Sequence, residues 1–164
     1  MNRELMCWKC DNPNATDADY LELIREKIST YGWFIQYVER DRRRPSFAYT
    51  VGLTPMGHPE LLVTGLTPRR AGNLLNPIAH GLMSHDDPAY VAGERHTWPD
   101  RLTVEVVDVA EPTVHLVMAN AIYGPLLRAV QLVYADDRGR WPWQVGFRGT
   151  QPVLGRRADF RATT

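Results

Sequence analysis

Residues 46–66 read SFAYTVGLTPMGHPELLVTGL. Two runs rich in aromatic, β-branched and aliphatic residues, Ser46 to Leu53 and Glu60 to Leu66, flank a turn at Thr54 to Pro59 punctuated by proline and glycine. The second run is apolar enough for a central strand. Upstream, Trp33 to Glu39 (WFIQYVE) has the same strand composition, and Arg40 to Pro45 interrupts it, which makes the first pair a hairpin with a charged tip. Downstream, Thr67 caps and Pro68 opens a helix. Strands that follow one another with no helix between them do not build βαβ units. The expected class is α+β: a single domain with a mainly antiparallel, mixed sheet and two to three helices packed on it.

Working outward, Thr16-Asp17-Ala18-Asp19 is a helix start, with a capping hydroxyl and acids at the positive end of the dipole. Tyr20, Leu21, Ile24, Ile28 and Tyr31 recur at helical spacing, so the first helix is predicted over Asp17 to Tyr31, stopped by Gly32. The helix after Thr67 carries an apolar stripe of Ala71, Leu74, Leu75, Ile78 and Leu82. Pro77 should kink or split it, with Asn76 recapping the second piece. Met83 to Asp100 is the least regular stretch, with turn residues, two histidines and Trp98, and is a candidate binding loop. Leu102 to Val109 alternates as a strand with one solvated face. Val114 to Tyr123 reads as a short helix, and Ala129 to Tyr134 as a buried strand leading into an Asp-Asp-Arg-Gly turn and Trp141-Pro142-Trp143. The domain is thus expected over residues 16–154, between an N-terminal Cys-x-x-Cys arm (1–15) and a basic tail (155–164).

The chain has 164 residues, 19 basic and 19 acidic, with 44% apolar and 23% charged side chains. This is ordinary globular composition and excludes a wholly disordered chain. Zero net charge argues against a protein whose main task is coating nucleic acid. The first residues, MNRELMCWKC, contain no apolar run of secretory type, and no later run approaches a spanning helix. A cytoplasmic protein without a membrane partner is the expectation. Neutrality hides an asymmetry: Asp86 to Asp137 holds nine acids against Arg95, Arg101 and Arg128, whereas Arg138 to Thr164 holds six arginines against Asp159. Either the tail folds back on the acidic middle, or it is a basic flap for an anionic partner, with local nucleic-acid contact through Arg156, Arg157 and Arg161. Arginine supplies 17 of the 19 basic residues, which also fits a compositional bias of the source genome.

Chemistry-bearing residues are scattered. Cys7 and Cys10 form half of a zinc-site spacing, a redox pair, or two packing thiols. Completing a zinc site needs histidines from elsewhere, of which His80 and His85 are the nearest pair to one another. Neither a P-loop, a dinucleotide-binding glycine turn, a Gly-x-Ser-x-Gly elbow nor a His-Glu-x-x-His occurs. Glu60, between Pro59 and a buried strand, is either a poised carboxylate or a turn-bonding residue. Asp136 and Asp137 are either oxygen ligands for a divalent metal or the residues of a hairpin turn. Gln131, in an apolar strand, must be hydrogen-bonded: a clamp on a neighbouring loop or a ligand-reading group. The rings of Trp141 and Trp143, held about a rigid proline, either wall a stacking pocket or close the core.

The order of Cys-x-x-Cys, Tyr31-Gly32-Trp33, Phe47 to Leu53, Pro59-Glu60-Leu61, Gly65-Leu66, Leu74-Leu75-Asn76, Gln131 to Tyr134 with Asp136, Gly139-x-x-Pro142-Trp143 and Gln151-Pro152 resembles a family of small bacterial proteins. That family is known only as a domain of unknown function, number 4262 in its series. The resemblance spans nearly the whole chain and implies a single-domain protein without an assigned reaction. The Thr-x-Gly-Leu strand, Pro-Glu-Leu strand and helix are also similar to the opening of flavin-reductase-like split barrels. That likeness would imply FMN, with its phosphate near Arg44, Ser46 and Thr50. The expectation is a ligand- or partner-binding domain, its ligand-binding set drawn from Tyr49, Thr50, Gln131, Trp141 and Trp143, with a structural zinc on Cys7, Cys10, His80 and His85. The alternative is a small enzyme, either a flavin-dependent oxidoreductase or a metal-assisted hydrolase using Asp136, Glu60 and a histidine.

Overall fold

A computed structural model describes residues 8–99 and 102–158. The chain order is α1 (Trp8–Asp11), α2 (Asp17–Tyr31), β1 (Phe34–Val38), β2 (Phe47–Val51), β3 (Glu60–Thr64), α3 (Pro68–Met83), β4 (Arg95–Thr97), β5 (Thr103–Val109), α4 (Pro112–His115), α5 (Val117–Tyr123), β6 (Ala129–Tyr134) and β7 (Gly155–Arg156). The strands form one open mixed sheet in the order β1-β2-β3-β6-β5-β4, with β7 on β5. Only β3 and β6 run parallel, and every other described pairing is antiparallel. The α+β class therefore holds. The sheet does not close, so the split-barrel likeness does not extend to the architecture. Among the described residues no helix is long and apolar enough to cross a membrane.

The two faces of the sheet are covered by different parts of the chain. On one face α3 lays Ala71, Leu75, Ile78 and Leu82 against Ala48, Leu61, Val63, Val104 and Leu132. On the other, α2 and α5 bring Ile24 and Ala119 onto Phe47, Tyr49, Val51 and Leu62. The rest of that second face, Val107 and Val133, lies beneath Trp141, Trp143 and Val153 of the C-terminal segment. Strands β2 and β3 are buried throughout, as central strands with both faces covered must be. For the same reason the solvated face expected on β5 is absent: Glu105 points into it and is 1% exposed.

Thr16 caps α2 through a reciprocal capping box with Asp19, and Gly32 ends it at φ 94°. Pro77 does not split α3, which runs unbroken from Pro68 to Met83. Buried residues before and after the proline (Leu75, Ile78, Ala79, Leu82) hold both halves on one surface, which outweighs the missing N–H. Asn76 is not a cap; its Oδ1 accepts from the Trp33 indole N–H at 3.0 Å and ties α3 to the start of β1. The short helix expected over Val114 to Tyr123 is two pieces, broken at Leu116, whose buried side chain serves the core.

Candidate functional site

The irregular stretch after α3 builds the most distinctive site. The N–H groups of Asp86 and Asp87 both donate to the Gly81 carbonyl and turn the chain back along the sheet. There Gly93 N–H donates to Val106 and Val106 N–H to Glu94, and β4 pairs with β5 through His96 opposite Val104. Alternation along β4 sends His96 to the α3 face and Arg95 to the opposite one. His96 thus stacks on Tyr90 (ring centroids 4.4 Å, 26°) and leans on Trp98 (6.4 Å, 36°). Its Nε2 lies 3.1 Å from Glu94 Oε2, an oxygen that also accepts from Val91 N–H at 3.2 Å. Tyr90, His96 and Trp98, with Asp87, Pro88, Arg95 and Thr97, line an open cleft of about 350 Å³. Burial pushes the Tyr90 hydroxyl up to about 12, and the charges of Asp87 and Glu94 add to the shift. The cleft is therefore walled by aromatic rings, with the carboxylates of Asp87 and Glu94 close to the Tyr90 hydroxyl. Arg95 contributes to its rim, but its guanidinium sits 4.7 Å over the Trp141 ring and 3.7 Å from Glu105 on the far face.

The residues singled out from sequence are placed elsewhere, and most are occupied. Glu60 is fully buried; Oε1 accepts from the N–H groups of Gly52, Leu53 and Thr54 and from Thr54 Oγ1, and Oε2 from Thr50 Oγ1. Burial pushes this carboxyl above the usual range while the Thr50, Thr54 and Gly52 donors pull against it. Its place is that of a turn-holding group. Thr50 is committed to the same network and buried, so Arg44, Ser46 and Thr50 form no common phosphate cradle: Ser46 Oγ donates to Leu66 and Arg44 pairs with Asp41. The Tyr49 hydroxyl accepts from Met118 N–H inside the second core.

Gln131 acts as a clamp. Its amide donates to Pro152 O and Thr64 Oγ1, and its Oε1 accepts from Leu154 N–H. Gln151 does likewise, bonding both backbone groups of Tyr134. Trp141 and Trp143 stack parallel at 5.4 Å and cover the sheet face beneath Arg95 and Arg157. Asp136 accepts from the N–H groups of Arg138, Arg140 and Arg148. Desolvation, the largest single influence, pushes its carboxyl up, but the backbone donors of Arg148, Arg140 and Arg138 and the charge of Arg140 together outweigh it and hold the group below the usual range.

Cys7 and Arg161 lie outside the described residues, and Cys10 falls in α1. His80 is exposed on α3 beside Trp33, and His85 occupies the turn after α3 with φ 58°. Of the tail, the described residues 155–158 lie against the acidic middle: Arg156 pairs with Asp108 in the β7–β5 ladder, and Arg157 forks onto Glu105 with two bonds of 3.0 Å. Sequence reasoning marked the 83–100 stretch but missed the partnership of Tyr90, His96 and Trp98. The signal was there, since His96 and Trp98 are two residues apart and share one face of a strand. Glu105 was missed because nothing local tells a buried acid from a solvated one.

Fold and site together define a small α+β domain with an open mixed sheet and an aromatic-acidic cleft at the edge strand. Residues 27–148 match the family described as Domain of unknown function (DUF4262), and the chain belongs to that family. No curated protein and no solved structure matches it.

Proposed function

We propose that this is a ligand-binding domain whose site is the β4 cleft and whose ligand is a small organic cation. The observation that carries the reading is the Tyr90–His96–Trp98 row of rings, with Asp87 and Glu94 beside it. Ring faces carry negative potential and attract ammonium or guanidinium groups, more strongly when carboxylates stand nearby. Arg95 would oppose such a ligand, but its charge is drawn through the sheet to Glu105 and Trp141.

The test is a titration followed by amide and indole NMR shifts, using tetramethylammonium and agmatine as cations and acetate as the anionic control. Shifts at Gly93, His96, Thr97 and the Trp98 indole are expected with the cations alone. Trp98→Ala should weaken the cation response about tenfold, in line with a contact of about 1 kcal/mol or more. Equal shifts with acetate, or an unchanged response in Trp98→Ala, would overturn the reading.

A further inference from the structure

We infer that the opposite resource of this fold, a cluster of arginines at one end of the sheet, is a docking surface for the phosphate backbone of nucleic acid. The pairing directions bring the C-terminal ends of β1, β3 and β6 and the N-terminal end of β2 to the same end. Three connections therefore emerge side by side. Residues 39–46 carry Arg40, Arg42, Arg43 and Arg44; residues 65–70 carry Arg69 and Arg70; residues 135–150 carry Arg138, Arg140 and Arg148.

These connections are fastened to one another. Gly65 N–H donates to Ser46 O at 2.8 Å, and both Ser46 Oγ and the Tyr37 hydroxyl donate to Leu66 O. The Tyr134 hydroxyl donates to Thr64 O at 2.9 Å, and the space a side chain on Gly65 would need is taken by the Thr150 carbonyl. The arginines are thus held near one another by tertiary structure, although they come from three distant parts of the sequence.

Nine of the 17 arginines stand on these connections, against Glu39, Asp41, Asp136 and Asp137. Two of those acids are spent locally. Asp41 accepts from the N–H groups of Arg43 and Arg44 and pairs with Arg44, and Asp136 accepts three backbone N–H groups. The side chains of Arg42, Arg43, Arg69, Arg70, Arg138 and Arg148 are exposed and make no ion pair among the described residues. Unpaired like charges at this density repel one another, and a polyanion relieves that repulsion.

Arginine rather than lysine favours phosphate, because its planar fork donates two hydrogen bonds to one phosphate group. Four neighbouring strands set about 4.8 Å apart make the surface about 14 Å wide. A duplex carries about eight phosphates over that length. An anionic membrane fits less well: of the large apolar side chains on these connections only Val145 is freely exposed, too little to enter a bilayer. The zero net charge of the chain is no obstacle, since the acids lie mostly elsewhere.

The test uses the full chain and fluorescence anisotropy with a labelled 20-base-pair DNA and a single-stranded RNA 20-mer, each at 50 and 200 mM salt. We expect binding whose log affinity falls linearly with log salt, with a slope of about −4 to −5 on the duplex and about −3 to −4 on the single strand, as contact with some five phosphates requires. Arg43→Glu, Arg70→Glu and Arg148→Glu together should weaken binding at least 100-fold at 50 mM salt, and Arg25→Glu on α2 should leave it unchanged. Far-UV circular dichroism and the melting temperature check that the variants fold. The wild-type salt slope stands apart from any variant. Trp98→Ala should bind nucleic acid normally, which separates this surface from the β4 cleft. Absence of binding at 50 mM salt, a slope near zero, or equal affinity in the triple variant would overturn the inference. So would preference for phosphatidylserine vesicles over both nucleic acids.

Discussion

Glu105 shows how one carboxylate organises the second face of the sheet. It is buried in β5, takes both hydrogen bonds of the Arg157 fork and lies 3.7 Å from Arg95, while those two guanidiniums cover the stacked pair Trp143 and Trp141. Removing one partner of a buried ion pair strands the other charge. Arg157→Ala should lower unfolding free energy by about 2 kcal/mol, reduced from the full penalty because Arg95 remains and water reaches the arginine. Replacing both Glu105 and Arg157 by leucine should recover most of that loss, measured by urea denaturation. Asp136 gives a pH prediction. Its carboxyl is held below the usual range in the folded chain, so its contribution is present above the ordinary carboxylate pKa and disappears as pH falls through the lowered folded value. Amide exchange at Arg138, Arg140 and Arg148 should accelerate over that acidic window relative to amides in β2. The Asp136→Asn variant should show fast exchange at neutral pH as well.

Two joints between elements carry the rest. The first is the strap formed by residues 151–157, which Gln131 and Gln151 bond to β6 and which ends as β7 on β5. Gln131→Leu leaves Leu154 N–H without its acceptor and loses the Pro152 bond. About 2 kcal/mol of stability should be lost, with new proteolytic cleavage after Arg156 or Arg157 that the wild type resists. The second joint is where α3 meets the cleft. A methyl on Gly81 would collide with the Asp87 carboxylate, the far end of a short side chain that can swing away. Gly81→Ala should therefore keep the melting temperature within a few degrees of wild type while lowering cation affinity about threefold, read by the same NMR titration. The strands, α2 and α3 could be read from periodicity because their burial repeats at 2 or 3.6 residues. The break at Leu116 and the continuity through Pro77 could not, because each is decided by what packs against the helix.

At the scale of the whole molecule, charge is sorted in space rather than along the chain. The acidic middle and basic tail seen in sequence cancel where Arg157 meets Glu105. The uncancelled arginines belong to three connections at one sheet end. Repulsion among them is screened by salt over about 10 Å at 0.1 M. Raising salt from 10 to 200 mM should raise the melting temperature by a few degrees, and Arg70→Ala should flatten that dependence. Differential scanning fluorimetry checks both. A melting temperature that falls with salt would mean that attractive surface pairs dominate instead.

The chain by itself determined the α+β class, the hairpin at 34–51, the central strand at Glu60 to Thr64 and the two long helices, because each rests on local periodicity, caps and turn residues; the family followed from the order of its motifs. Tertiary structure alone decided which polar residues hold the fold and which line the β4 cleft. Gln131, Glu60 and Asp136 are consumed by backbone groups far along the chain or across a turn, and His96 gains its partners only when β4 is laid on β5. Hydrogen-bond partners and charge neighbours depend on strand pairing between distant residues, and no local pattern encodes that.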